Sequence, residues 1–447
     1  METSVTPATD DKAYRKGWRA WALYDVANSA FWLVIATAVF PIYYQELYIQ
    51  SQTSPGQVVT EELRRELTTK GGSRLGYTAA VAMVIVAVLG PILGVVSDRM
   101  AAKKKFLAIF AGLGILSTGL MVILGRGDVL LGSILYTLST VGVAGSMVFY
   151  DSLLPAVARE EDLDRVSAFG FAAGYLGSVL LFIFNVVMFK FPHAFGFSGV
   201  DQAIRVSFLG VAIWWAGFTI PLLRVVKEPP AESGSGGSLV TAGFTQIAQT
   251  FRKLGRYRQL LWFLVAFWVY SDGIGTIMKM ATPFGKSLGV PEDQMMMALI
   301  VTQIVGVPCA MAFSAMAKRI GAKAGILIGL GAYAGICVFA AFMKESWHFW
   351  ALAVAVGLVQ GGTQSLSRSL FATMIPKGQT GEFFGFFSTM EKFAGILGPL
   401  VLGLLWGEGG DPRHGIVALG VLFIVGMIVL SRVKVDEGRR AAAEAVA

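Results

Sequence analysis

Two carboxylates stand inside membrane-length apolar runs. Asp25 lies within Trp21–Phe31, and Asp272 within Trp268–Thr276. A charge in hydrocarbon costs about 2.5–3.5 kcal/mol on insertion scales, so such a residue faces a partner or a wet cavity. Carboxylates in a cavity can bind and release protons or hold a polar solute. Asn28, Tyr150, Gln360 and Gln364 also fall within apolar runs and could complete a hydrogen-bonding wall with Asp25 and Asp272. Glu391 is a third candidate proton carrier, beside Asp25 and Asp272. Lys279, Arg368 and Lys392 are the cations available as charge partners. Lys279 follows Asp272 by two helical turns on the same face. Each residue also has a plainer reading. Asp25 could pair near a membrane interface, Asp272 and Lys279 could form a fixed ion pair, and Arg368 could serve only topology.

The elements that must position these groups follow from composition. The 447 residues are 55% hydrophobic and only 15% charged, against about 25% charge in a soluble domain. Twelve windows can each cross a bilayer, near 20–44, 75–97, 105–124, 130–150, 166–190, 203–224, 259–284, 293–316, 324–343, 348–371, 383–406 and 413–432. The first follows a polar, charged stretch without a small-residue cleavage pattern and reads as an uncleaved helix. An outer loop of about 30 residues is expected after it. The net charge of +8 does not point to nucleic acid, because most Lys and Arg fall on the segments that share a side with the N-terminus. That bias places both termini in the cytoplasm, and the expected location is a bacterial inner membrane.

The longest polar break, 225–258, starts with Pro229–Pro230 and a flexible run, Ser233–Gly237. Val240, Phe244, Ile247, Phe251 and Leu254 then recur at helical spacing among basic residues, which predicts an amphipathic helix on the inner leaflet. The break divides the chain into a bundle over 1–224, a linker over 225–258, and a second bundle with its tail over 259–447. The halves match at nearly constant offsets: Arg99 with Arg319, Ser152–Leu153 with Ser369–Leu370, and Phe169 with Phe384. A duplicated six-helix unit follows. The expected fold is all-α, with twelve transmembrane helices in two pseudo-symmetric bundles.

The stretch Gly94–Lys105 resembles the loop 2–3 signature of the major facilitator superfamily. That resemblance implies conformational gating by Gly94, Asp98 and Arg99, with the Asp pairing to a helix end or an Arg across the domain interface. The second copy, Ser314–Lys323, has Lys318 in place of the acid, which argues against a symmetrical lock. A finer likeness runs through TyrAspValAlaAsnSerAlaPhe (Tyr24–Phe31), Thr37–Tyr43, Phe149–Pro155, Gln360–Ser369 and Glu382–Phe387. These resemble the bacterial "unknown major facilitator" family, a group that includes a fungal vacuolar amino-acid effluxer linked to autophagy. The resemblance implies a secondary transporter with amino-acid-like or other small solutes. In that fold spans 1, 4, 7 and 10 line the cavity. Here spans 3, 6, 9 and 12 carry no internal charge, whereas spans 1, 7 and 10 carry most of the polar residues.

Enzyme signatures are missing. His193, His348 and His414 fall at outer loops or helix ends with no metal-site spacing. Gly285–Lys286–Ser287 mimics the tail of a phosphate loop, but Met280 stands where the first Gly is required. Cys309 and Cys337 lie in separate spans as small apolar residues. The expectation is a non-enzymatic, proton-coupled transporter acting by alternating access. It carries no cofactor or metal, works as a monomer among membrane lipids, and takes a small-molecule substrate. Two alternatives stand beside it: export of amphipathic compounds or lipids on the same fold, and a membrane sensor or enzyme.

Overall fold

The computed structural model describes residues 7–229, 257–287, 290–343, 345–376, 379–393 and 412–444. The amphipathic segment Val240–Leu254 lies outside them. The described elements are helical. In chain order they are α1 (Pro7–Ala30), a π-helical segment (Phe31–Val39), α2 (Phe40–Gln52), α3 (Glu61–Arg99), α4 (Lys103–Leu120), α5 (Val129–Ser152), α6 (Leu154–Val157), α7 (Leu163–Lys190) and α8 (Val200–Val225). The second half has α9 (Arg258–Ser287), α10 (Glu292–Ile320), α11 (Ala322–Ala341), α12 (Ser346–Thr373), α13 (Thr380–Phe393), α14 (Pro412–Ser431) and α15 (Val435–Glu444). Among the described residues ten helices are long and apolar enough to span a membrane, and α14, which meets α15 at a 60° bend, brings the count to eleven when that pair is taken as one span. The span expected at 383–406 begins as α13 and continues past the described residues.

The first span is one continuous rod from α1 to α2 with a π segment in its middle. Pro41 has no N–H to donate, so the turn before it loses a bond and widens. Thr37 Oγ1 fits the widened turn, donating to the carbonyl of Trp32 at 2.8 Å. The outer loop after this span is far shorter than expected. Only residues 53–60 separate α2 from α3. Hydropathy marks the part of a helix in lipid, not where the helix stops. Here Thr60 Oγ1 accepts from the Leu63 N–H, Glu61 and Glu62 occupy the first turn, and Glu66–Lys70 (2.6 Å) and Glu46–Arg64 (3.1 Å) pair beyond the apolar band.

Helix packing repeats between the halves. In the first, α1 packs on α8, α4 on α8, α3 on α5 and α4 on α5. In the second, α9 packs on α14, α11 on α14, α10 on α12 and α11 on α12. These are the same four span pairs, one repeat apart. The contacts between halves obey the same exchange: α3 with α13 answers α10 with α7, and α12 with α7 answers α13 with α5. A pseudo-two-fold axis therefore runs between the halves. The outer helices carry exposed apolar residues for lipid, among them Ile109 and Leu116 on α4, Ile213 on α8, Ile328 on α11 and Val421 on α14.

The chain after α14 is docked, not trailing. Lys323 Nζ donates to the carbonyls of Ser431 and Val433, which end α14. Gln259 donates to Glu437 at 2.7 Å and accepts from the Lys434 N–H at 2.9 Å, holding α15 against the start of α9. The start of α1 and the whole of α15 thus lie at one end of the bundle, the terminal end.

Candidate functional site

A buried ionic cluster joins the halves one to two turns inside the terminal end. Its centre is Arg368, on the last turns of α12 and 3% exposed. Its Nη1 lies 3.1 Å from Asp151 Oδ1 on α5, and its Nη2 lies 3.4 Å from Asp25 Oδ2 on α1. Nε donates to Ser167 Oγ and Nη2 to the Ser167 carbonyl, both at 3.0 Å, at the start of α7. The guanidinium is further held by the rings of Trp21, Tyr150 and Phe171, at 4.9, 5.5 and 4.5 Å from their centroids. Four N–H contacts and three ring faces satisfy a charge that burial would otherwise make prohibitive.

Each neighbour is positioned in turn. Tyr150 donates its hydroxyl to Asp25 Oδ2 at 2.6 Å and stacks on Trp21 at 4.4 Å. Trp21 Nε1 donates to the Tyr150 carbonyl, and Tyr24 donates to Ser146 Oγ, which fastens α1 to α5. Asn28 Nδ2 donates to the Tyr24 carbonyl at 2.9 Å and reaches Asp25 Oδ1 at 3.4 Å, so it orients that carboxylate. Gly170 of α7 faces the pair at close quarters. A Cβ there would stand 2.3 Å from Asp25 Oδ2 and 3.2 Å from Arg368 Nη2.

A second cross-half contact lies at the same end. Asp98, at the end of α3, accepts from the backbone N–H groups of Gly381 (3.0 Å) and Glu382 (2.8 Å) in the first turn of α13. A carboxylate lent by one half thereby caps a helix of the other. Lys103 Nζ pairs with Asp98 at 2.8 Å and also donates to Thr380 Oγ1. Ala101 takes the left-handed region (φ 46°) to turn the chain between them, a conformation that costs a non-glycine residue about 1–2 kcal/mol. The Glu228 carboxylate, just after α8, accepts from the N–H groups of Lys103 and Lys104 and caps α4. Burial lifts the Asp98 carboxyl above the ordinary carboxylate range, against the lowering pull of Lys103 and the two amides. Gly94 and Gly381 touch here, and a Cβ on Gly94 would stand 2.3 Å from the Gly381 carbonyl oxygen.

Asp25, Asn28, Tyr150 and Arg368 therefore meet in one cluster. Asp272 is fully buried on α9, beside Gly273, which packs on Phe423 of α14. Gln360 and Gln364 lie on α12 above Arg368, the first buried and the second half-buried. Glu391 is exposed near the end of α13. The side chains of Arg99, Lys279 and Lys392 lie outside the described residues. Sequence reasoning overlooked Asp151, Ser167, Gly170 and Glu228, and took Lys103 only as one of the basic residues that end the Gly94–Lys105 signature. For Asp151 a signal existed: it lies 217 residues from Arg368, the separation that also carries Ser152 onto Ser369.

The paired bundles and the charged seam between them define a transporter of the major facilitator superfamily. The human organic anion transporter MFSD10 (TETRAN) superposes with a TM-score of 0.69, covering 93% of this chain and 99% of that one at 12% identity. Within that class, the chain belongs to the family described as Vacuole effluxer Atg22 like, whose model matches residues 13–443. The MFS-type transporter YxiO of Bacillus subtilis is 36% identical over 94% of this chain and 95% of its own length. Autophagy-related protein 22-1 of Aspergillus niger is 28% identical over 62% of this chain and 48% of its own length. The protein is thus an integral membrane protein of a family of transporters.

Proposed function

We propose that the protein moves a small solute, an amino acid or a related metabolite, by alternating access driven by protons. Its halves are 1–224 and 259–447, the linker 225–258 joins them, and both termini are cytoplasmic. The supporting observation is the buried Asp25–Arg368–Asp151 cluster. It bridges the halves at one end, as a closed gate must, and it carries groups that can exchange protons. Asp25, Asn28, Tyr150, Asp272, Gln360 and Gln364 are the proposed solute contacts. Asp25, Asp272 and Glu391 are the proposed proton carriers, with Lys279, Arg368 and Lys392 as charge partners. Gly94, Asp98 and Arg99 act on the conformational equilibrium without touching solute. The family's description as a vacuole effluxer supports movement of a small solute out of a compartment, and amino acids are what the resemblance of the span 1 and span 10 motifs implies. Rocking about the seam exposes the site to one side at a time.

Uptake of a panel of radiolabelled amino acids into sealed vesicles, with and without an imposed proton gradient, tests this reading. Accumulation should require the gradient. Asp272→Asn, which mimics the protonated acid, should abolish accumulation and leave exchange intact. Concentrative uptake by Asp272→Asn at the wild-type pH dependence would remove Asp272 from the coupling role. A second reading, export of amphipathic compounds, is favoured by the aromatic wall of Trp21, Tyr150 and Phe171 around the cluster. Gradient-independent amino-acid flux with extrusion of a lipophilic dye would support it.

A further inference from the structure

Arg368 is the same position of the repeat as Asp151, and the two side chains touch across the pseudo-two-fold axis. Asp25 is the third member, reaching the same guanidinium from α1. The groups facing Asp151 are Arg368 from α12, Asp25 from α1 and, at longer range, Glu391 from α13, with Tyr150 beside it on α5. The core of the cluster therefore holds two carboxylates and one cation. Asp25 has Tyr150, Asn28 and Arg368 around its oxygens, whereas the hydrogen bond described for Asp151 is the one to Arg368. Burying a surplus charge costs several kcal/mol, and that cost disappears when the cluster is hydrated.

We propose that Asp151 is a further coupling residue: it competes with Asp25 for the one guanidinium of Arg368, and the closed seam holds a proton on the Asp151 carboxylate. The proposal rests on the proton-driven reading above and adds an acid that is not among its named proton carriers. The proton comes from water on the open side while the terminal end is shut, and a carboxylate oxygen accepts it. Opening the terminal end hydrates the cluster, restores the second carboxylate and releases the proton there. The sign follows: the closed form binds the proton more tightly, so closure is complete at low pH and is lost as pH rises.

The test needs no substrate, because the proton is the probe. The full-length protein in lipid nanodiscs carries spin labels at Glu160→Cys and Arg319→Cys, both exposed at the terminal end of opposite halves, with Cys309→Ala and Cys337→Ala. Pulsed distance measurements from about pH 5 to about pH 9 report the closed-to-open ratio, which should fall by up to about tenfold per pH unit at the steepest point. Asp151→Asn leaves a neutral Asp25–Arg368 pair, so it should stay closed across the range. A fixed structural brace predicts the opposite: Asp151→Asn opens the seam at every pH. A wild-type pH profile in Asp151→Asn, or that uniform opening, overturns the proposal. Should Asp151→Asn fail to fold, Asp151→Glu keeps the acid and moves it by one methylene. Its midpoint must then shift from the wild-type value, and an unmoved midpoint overturns the proposal equally. A vesicle assay without proton drive would defeat the transport reading and leave this profile intact, so the two failures are separable.

Discussion

The two corners of the seam occupy equivalent places in the repeat and solve the same problem differently. At the first corner, where α3 meets α13, the loop after α3 supplies Asp98, which caps the opposite half through two backbone N–H groups. At the second, where α10 meets α7, the matching loop position is Lys318, which is exposed. The acid has moved to the other partner. Asp164 sits in the first turn of α7 and accepts from Ser369 Oγ. Both corners thus place a carboxylate at a helix N-terminus, where the macrodipole favours it. At the first that carboxylate caps a helix of the other half, whereas at the second it belongs to the helix it caps and reaches across the seam only to a side chain, Ser369. Close approach differs too. Gly94 touches Gly381 at the first corner, whereas the equivalent of Gly94 at the second is Ser314, buried with its side chain accommodated. Duplication fixed the geometry of the seam, and the strength of each corner was set separately.

The comparison can be broken from its middle. Arg368→Gln leaves two carboxylates buried without their cation, so stability should drop by about 3–5 kcal/mol, with both corners loosening together. Thermal melting with cross-half distances checks this, and loosening confined to one corner would show that the cluster serves that corner alone. Asp98→Ala strands Lys103 and two amides and should cost about 3 kcal/mol of closure, whereas Asp164→Ala should cost about 1 kcal/mol. Disulfide cross-linking rates at each corner rank the two, and equal rates would erase the claimed asymmetry. Gly94→Ala forces α3 and α13 apart for about 1–3 kcal/mol, while Ser314→Ala should change closure by under about 1 kcal/mol. The smallest effect is pH at the first corner. Closure buries Asp98 and raises its proton affinity above that of the hydrated acid. This contribution to closure is full below the ordinary carboxylate value, about pH 3.9, and fades as pH rises through the raised one. Measured as melting temperature against pH in an Asp151→Asn background, which keeps the seam closed, a residual acid-favoured stability should vanish in Asp98→Asn.

Much of this architecture was legible in the sequence. Hydropathy located the spans, because lipid demands apolar surface wherever a helix meets it. The offset between Arg99 and Arg319 revealed the repeat that the packing pairs then display. Helix ends were less legible. Glu61–Gly72 is helical beyond the apolar band, held by capping and short-range ion pairs that hydropathy does not weigh. Site membership divided along similar lines. Asp25, Asn28 and Tyr150 stood out as polar groups in apolar runs. Asp151 and Ser167 did not, because their importance comes from long-range contacts across the seam. Arg368 read as an available charge partner or as a topology charge, because its depth near a span end said nothing about which way it points.

A position on a two-fold axis faces its own copy. In a symmetric dimer of half-length chains, the residue corresponding to Asp151 and Arg368 would meet an identical residue, and either choice sets like charge against like. Attraction there requires two different residues at one symmetric place, which only a chain containing both copies can provide. The Asp151–Arg368 contact at 3.1 Å is therefore a specificity device for the fused protein. It rewards pairing of a first half with a second half and penalises either half pairing with itself, so correct assembly of the two bundles during folding is written into one ion pair.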